Sequence, residues 1–252
     1  MKILLSPAKS IQIPESYPKI GPTTGKFLKE TETLVKKMKK FSPKKLAALY
    51  SVSNDIAELN YNRFQNWESP VEAGENILPA VFAFNGEVYR GLNVTELSPE
   101  EMDYINGHVR ILSGLYGLLQ PYDLIYPYRL EMGTKLEVSA KAKNLYQFWG
   151  DKISNALNAE ETDVIVNLAS AEYFKAVNAK KIKAKIITPV FKEFKNGEYK
   201  MLMTYAKNAR GEMARYCAQN KIETAEDLKS FNLSNYRFMP EMSTDEEYVF
   251  VR

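Results

Sequence analysis

Three charged residues close a tyrosine-rich stretch, LSGLYGLLQPYDLIYPYRLEMGTKL (112–136): Arg129, Glu131 and Lys135. A carboxylate between two cations can fix one of them while the other faces a phosphate, the geometry of charge-assisted anion binding. SPAK (6–9) offers a further lysine, Lys9, just past a first apolar run. Its Ser-x-x-Lys spacing is that of serine-acylating hydrolases, where the match opens a helix so that the lysine reaches the hydroxyl. Here Pro7 interrupts it and no Ser-Asp-Asn or Lys-Thr-Gly partner exists, so Lys9 reads as a cation meeting an anion in a cleft. NLASAEYF (167–174) places Asn167, Ser170, Glu172 and Tyr173 after another apolar run, where ligands gather in α/β sheets. YAKNARGEMAR (205–215) sets Lys207, Arg210 and Arg215 around an expected strand-to-helix junction, and arginines suit bidentate phosphate binding.

The composition removes several chemistries. One histidine, His108, and one cysteine, Cys217, leave no His/Cys cluster for zinc or a transition metal, and no internal disulfide. Neither residue sits in a nucleophile motif. No metal and no cofactor is therefore expected. With 252 residues, 45% of them apolar and 26% charged, the chain reads as one globular domain over 1–252. No apolar run approaches the roughly 20 residues of a membrane helix, and MKILLSPAKS reads as a buried strand and not a secretion signal, which points to the cytoplasm.

Net charge is only +3 but it is unevenly spread. From Lys19 to Leu49 there are nine lysines against Glu30 and Glu32; from Lys175 to Lys221 there are twelve basic residues against Glu193, Glu198 and Glu212. Two basic segments in a nearly neutral chain suggest a surface that faces a polyanion.

The elements that must position these residues alternate in type. KILLS (2–6), LPAVFAF (78–84), RILSG (110–114), DVIVNLAS (163–170) and the closing EYVFVR read as strands. Helical spacing runs through Phe27, Thr31, Leu34, Met38 and Phe41, through 144–158 behind Asn144, and from Asn208 as a cap onward. Ser98 and Glu101 form a capping box. Asn196-Gly197 between KIITPVFKEFK and EYKMLMTYAK predicts a hairpin. The expected fold is α/β, a mixed sheet covered by helices.

LAALYSVSNDIAELNYNRF, within 42–67, has the apolar spacing of a helix–hairpin–helix element. Ser51, Val52, Ser53 and Asn54 would present backbone N–H groups to phosphate oxygens, with Lys44 and Lys45 beside them. That element uses glycine where Ser51 and Ser53 stand, and Asp55 would repel a phosphate.

LLSPAK, FNGEVYRGL, the 112–136 stretch, LYQFWGDKI, VNLASAEYFKAV, TPVFKE and AKNARGEMARY follow one another along the whole chain. This series resembles the YaaA family of bacterial peroxide-stress resistance proteins. The resemblance implies a cytosolic protein that limits iron-dependent oxidative DNA damage. It also implies an unusual α/β fold, a helix–hairpin–helix and a basic cleft for duplex DNA. One histidine and one cysteine offer no iron store and no peroxide-reducing thiol, so any effect on iron would be indirect.

The leading expectation is a protein that binds duplex or distorted DNA by backbone and shape. Its interface would combine the 42–67 element with a cleft lined by Lys9, Arg129, Lys135, Lys192, Lys207, Arg210 and Arg215. The alternative is an enzyme acting on a nucleotide, a base or a DNA lesion in that cleft. Glu87, Glu131 or Glu172 would then serve as general acid or base, and Lys9 as nucleophile if desolvated. A third reading gives the cleft to an acidic protein partner.

Overall fold

A computed structural model describes residues 1–252 except Lys19; that one lysine of the N-terminal basic run lies outside the described residues. Eight strands make the main sheet: β1 (Lys2–Leu5), β2 (Val109–Ser113), β3 (Gly117–Leu119), β4 (Val164–Asn167), β5 (Lys185–Lys195), β6 (Glu198–Lys200), β7 (Arg237–Phe238) and β8 (Glu247–Val251). Their order is β7-β8-β5-β4-β1-β2-β3, with β6 paired to β5. Neighbours among β8, β5, β4, β1 and β2 run parallel, while β3, β6 and β7 pair antiparallel. Parallel strands are covered on both faces, which is why ILL in β1 and IVN in β4 are buried without polar alternation.

The helices of five residues or more are α1 (Leu28–Met38), α2 (Pro43–Tyr50), α3 (Asn54–Gln65), α4 (Glu87–Leu92), α5 (Pro99–His108), α6 (Leu145–Trp149), α7 (Lys152–Asn158) and α8 (Met203–Gln219). Their starts follow cap chemistry. Ser42 accepts from Lys45 N with Pro43 in the first turn, and Ser98 and Glu101 form the expected capping box. Asn144 accepts from Gln147 N. The longest helix, α8, is pressed onto α4 at two glycines. A Cβ on Gly211 would lie 1.8 Å from the Val88 carbonyl oxygen, and one on Gly91 would lie 2.1 Å from that of Asn208.

The connections decide where a ligand can sit. From β1 the chain goes to β2 and β3 on one side, then returns to place β4, β5 and β8 on the other. Such a reversal opens a crevice outside the carboxyl ends of the two strands that flank it, here β1 and β4. β5 continues well beyond the end of β4, to Lys195, ~20 Å past Thr188 at the usual rise per strand residue. On that overhang Lys192 and Phe194 bond to Arg252 on one edge, and β6 pairs back on the other. The tight turn between them has Asn196 and Gly197 both at positive φ, as the hairpin signal requires.

Three expectations are corrected. LPAVFAF is not one strand: Leu78–Pro79 pairs with Leu124–Ile125, and Ala80–Ala83 forms a helical turn starting directly after Pro79. A short apolar run has no periodicity that separates these outcomes. The 144–158 helix is two, broken at Gly150, whose φ of 48° ends α6. Asn208 is not a cap: α8 already begins at Met203, and the Asn208 side chain reaches the Glu87 carbonyl at 3.4 Å.

At the amino ends of β1 and β2 a largely buried arginine and two half-buried charges tie three segments together. Glu160 lies 2.9 Å from Lys2 Nζ and 2.7 Å from Arg110 Nη2. Burial pushes its carboxyl pKa up, but the hydrogen bonds and charges of Arg110 and Lys2 outweigh this and hold it below the ordinary 4.5. Because the folded value is the lower one, the stabilisation is complete above the unfolded value and is lost as pH falls through the folded one. Urea unfolding should therefore show wild type well ahead of Glu160→Gln at about pH 7, with the gap shrinking toward about pH 3.

Candidate functional site

The crevice between β1 and β4 is filled from five segments. In the extended segment 128–133 side chains alternate. Tyr128, Leu130 and Met132 are buried, which turns Arg129 and Glu131 the other way. The segment lies against the carboxyl end of β2, where a Cβ on Gly114 would be 2.2 Å from the Leu130 carbonyl oxygen. Glu131 then holds two cations: Oε1 accepts from Arg129 Nη2 at 3.0 Å, and Oε2 lies 2.6 Å from Lys9 Nζ. Lys9 remains 65% exposed at its side chain, whereas Arg129 is 15% exposed.

β1 and β4 meet through their first loop residues. Ser6 Oγ accepts from Ser170 N at 2.9 Å and lies 3.3 Å from Ser170 Oγ. Tyr89, from α4, donates to the Ser6 carbonyl at 3.1 Å. Asn167 Oδ1 accepts from Ala169 N and its Nδ2 lies 3.5 Å from Thr188 Oγ1, so this side chain shapes the loop and reaches β5. Glu172 Oε1 accepts from Gly133 N at 2.8 Å, joining the loop after β4 to the Arg129–Glu131 segment.

The helical pair α2–α3 clasps the same place. Tyr50, the last residue of α2, donates its hydroxyl to the Arg129 carbonyl, and the Arg129 guanidinium lies 5.9 Å from the centre of the Tyr50 ring. Burial pushes the Tyr50 hydroxyl pKa up, opposed by the Arg129 charge and reinforced by Glu131. Burial does the same to Tyr89 and Tyr173, helped by neighbouring tyrosines and, at Tyr173, by Glu172 and Glu131. These hydroxyls thus stay protonated donors at neutral pH.

Between the helices, Ser51 takes the left-handed conformation (φ 52°, ψ 53°), and Ser53 accepts from Ile56 N to cap α3. Ser51, Ser53, Asn54 and Asp55 are exposed. The left-handed conformation costs a side-chain-bearing residue roughly 1–2 kcal/mol, part of which glycine gives back in unfolded-state entropy. Ser51→Gly should therefore stabilise the protein by about 0.5–1 kcal/mol, measured by chemical denaturation.

The remaining expected site residues fall into separate groups. Lys45 and Lys135 line one cavity of about 510 Å³ together with Lys37, and Lys45 sits 4.2 Å over the Phe41 ring. Lys192 lies on the β5 overhang. Lys207, Arg210 and Arg215 are inside α8 and not at a strand-to-helix junction, because the helix starts earlier. Arg215 is paired with Glu96 at 2.7 Å and lines a different cavity with Arg90 and Glu212. Burial pulls the Arg210 guanidinium pKa down. Glu87 opens α4 beside the SPAK loop, where Gly86 packs on Ala8, and it pairs with Arg90. Among the described residues, Lys44, Lys45, Lys135, Lys192, Lys207 and Arg210 have no carboxylate within ion-pair distance.

Three of the four tyrosines of 112–136 pack into the core. Tyr116, Tyr122 and Tyr128 are buried, at 1%, 6% and 4% exposure. The Tyr116 hydroxyl accepts from Trp67 Nε1 and Tyr126 N, and that of Tyr128 bonds Ser113 at 2.6 Å. Tyr89 and the Tyr50 clasp were not foreseen as site features; their only sequence signal is that each ends or opens an apolar-faced helix. Cys217 is buried and its thiol pKa is pushed up by burial, the environment of an inert thiol. Among the described residues no three of His, Cys, Asp and Glu gather to hold a metal ion, and no helix is long and apolar enough to cross a membrane.

Comparison with known proteins places this arrangement in a family. The family model described as peroxide stress protein YaaA matches residues 1–242. A UPF0246 protein of Aliivibrio fischeri (strain MJ11) is 48% identical, with 100% of this chain and 98% of that protein covered. A UPF0246 protein of Burkholderia mallei (strain SAVP1) is 46% identical over the same shares. The match takes in every segment that builds the crevice, from SPAK to the loop after β4, and the chain belongs to the YaaA family of bacterial peroxide stress proteins.

Proposed function

We propose that the protein acts in the peroxide stress response by binding duplex or distorted DNA through backbone and shape. The observation that carries this reading is the exposed turn between α2 and α3. The first N–H groups of a helix have no partner within it, so those of Asn54 and Asp55 stand open at the start of the twelve-residue α3. Lys44 and Lys45, without carboxylate partners, stand in the first turn of α2, at the other end of that helix, and Lys135 shares a cavity with Lys45. Open amides at one end of the α2–α3 pair and free lysines at the other can each hold a phosphate and read no base. Asp55 stands in the same turn and weakens the grip. Lys192 on the overhang and Lys207 on α8 are further cations without carboxylate partners. Lys9 and Arg129 contribute less, because each has part of its charge offset by Glu131.

Such an interface should treat unrelated sequences alike. Fluorescence anisotropy on duplexes of equal length and different sequence should give affinities within about threefold of one another, well below the ratios of site-specific binders. A preference for one sequence by orders of magnitude, or no binding to any duplex, would overturn the reading.

A further inference from the structure

We propose that the crevice between β1 and β4 is a separate site for a single nucleoside monophosphate unit, either a free nucleotide or a residue extruded from a strand. This goes beyond duplex binding: the phosphate-facing turn lies between α2 and α3, whereas the crevice groups come from the ends of β1 and β4 and the 129–133 segment.

The chemistry of the crevice selects the class. Two cations and two carboxylates make it neutral overall, which does not favour a bare polyanion. Lys9 offers an exposed ammonium for one phosphate, while Glu131 and Glu172 offer acceptors for hydroxyl or amino donors. Ser6 and Ser170 form a hydroxyl pair whose outer member can still donate. A ligand that answers all of these carries one phosphate together with sugar hydroxyls or a base edge.

Arg129 adds a second, independent observation. Of the five N–H donors of a guanidinium, its side chain directs one hydrogen bond, to Glu131, and its Nε is buried with no partner. A largely buried, under-answered guanidinium is costly unless something completes it. Arg129 also sits on Tyr50, so the crevice is mechanically joined to the hairpin turn and a strand held there passes close to it. The position at the sheet's point of reversal is where α/β folds take their ligands.

The test uses the full chain and two kinds of probe. Calorimetric titration with each of the four deoxynucleoside 5′-monophosphates should show at least one binding about tenfold or more tighter than inorganic phosphate or the matching nucleoside. A duplex with a single unpaired nucleotide opposite an abasic site should compete for the same crevice if the source is an extruded residue. A mononucleotide that binds better than phosphate, or an unpaired-nucleotide duplex that binds tighter than the fully paired one, upholds the site and assigns its source. Glu172→Gln keeps an oxygen for Gly133 N, and with Ser170→Ala it should weaken nucleotide binding by about tenfold or more while intact-duplex affinity is unchanged. Lys44→Glu/Lys45→Glu should do the reverse. If no mononucleotide binds better than phosphate and the unpaired-nucleotide duplex binds no tighter than the paired one, or if Glu172→Gln and Ser170→Ala bind like wild type, the proposal is wrong, whatever becomes of duplex binding.

Discussion

Gly211→Ala is expected to destabilise the protein by about 3 kcal/mol or more, enough to lower Tm by roughly 6–12 °C for a chain of this size. The new methyl would stand 1.8 Å from the Val88 carbonyl oxygen and 2.6 Å from Leu92 N. Both are backbone atoms, so no rotamer change relieves the clash and α8 must move away from α4. That motion has a functional consequence. Tyr89, on α4, holds the Ser6 carbonyl, and Ser6 in turn holds Ser170. Separation of the helices should thus loosen the crevice as well as the core. Gly107 supplies the control. It lies in the last turn of α5 with nothing within 4 Å of the position a Cβ would take. Gly107→Ala should be neutral or stabilise by up to about 1 kcal/mol, because glycine costs helices entropy. Thermal unfolding of the two variants side by side checks both. A Gly211→Ala protein as stable as wild type would contradict the close packing of α4 and α8.

Reversing Lys44 and Lys45 together should reduce duplex affinity by about a hundredfold at low salt and reduce the salt dependence by about two charge equivalents. Both side chains are exposed, and the double change gives up the stacking of the Lys45 ammonium over the Phe41 ring, worth about 0.5–1 kcal/mol. The fold should survive, so weaker binding can be assigned to the interface. A double variant that binds like wild type would remove the first turn of α2 from the interface.

Much of the architecture was legible because it is written locally. The apolar run of β4, the Asn196-Gly197 turn and the Ser98–Glu101 box each contain their own instruction, and each forms. What was not legible depends on partners far away in the chain. Nothing near Glu131 announces that Lys9 will share it, and nothing near Arg129 announces that Tyr50 will cap its carbonyl. The tyrosines of 112–136 have the same types whether they line a cleft or fill a core; tertiary burial of Tyr116 and Tyr128 decided it. Asn208 has a cap residue's chemistry, but the hairpin delivers the chain into α8 six residues sooner, with Leu202 at the cap position. The basic residues were legible as charge and not as a surface. They separate into a Lys37–Lys45–Lys135 cavity, a Lys9–Glu131–Arg129 bridge and an Arg215–Glu96 pair. A charge run records how many cations exist and says little about which already have a partner.

The most direct measurement follows duplex binding across ionic strength. If the open amides and unpaired lysines of the α2–α3 pair grip the sugar–phosphate chain, log affinity should fall linearly with log salt concentration, with a slope of about −3 to −5 for three to five phosphates engaged. A flat line over the same range, with affinity indifferent to salt, would contradict the account at its base.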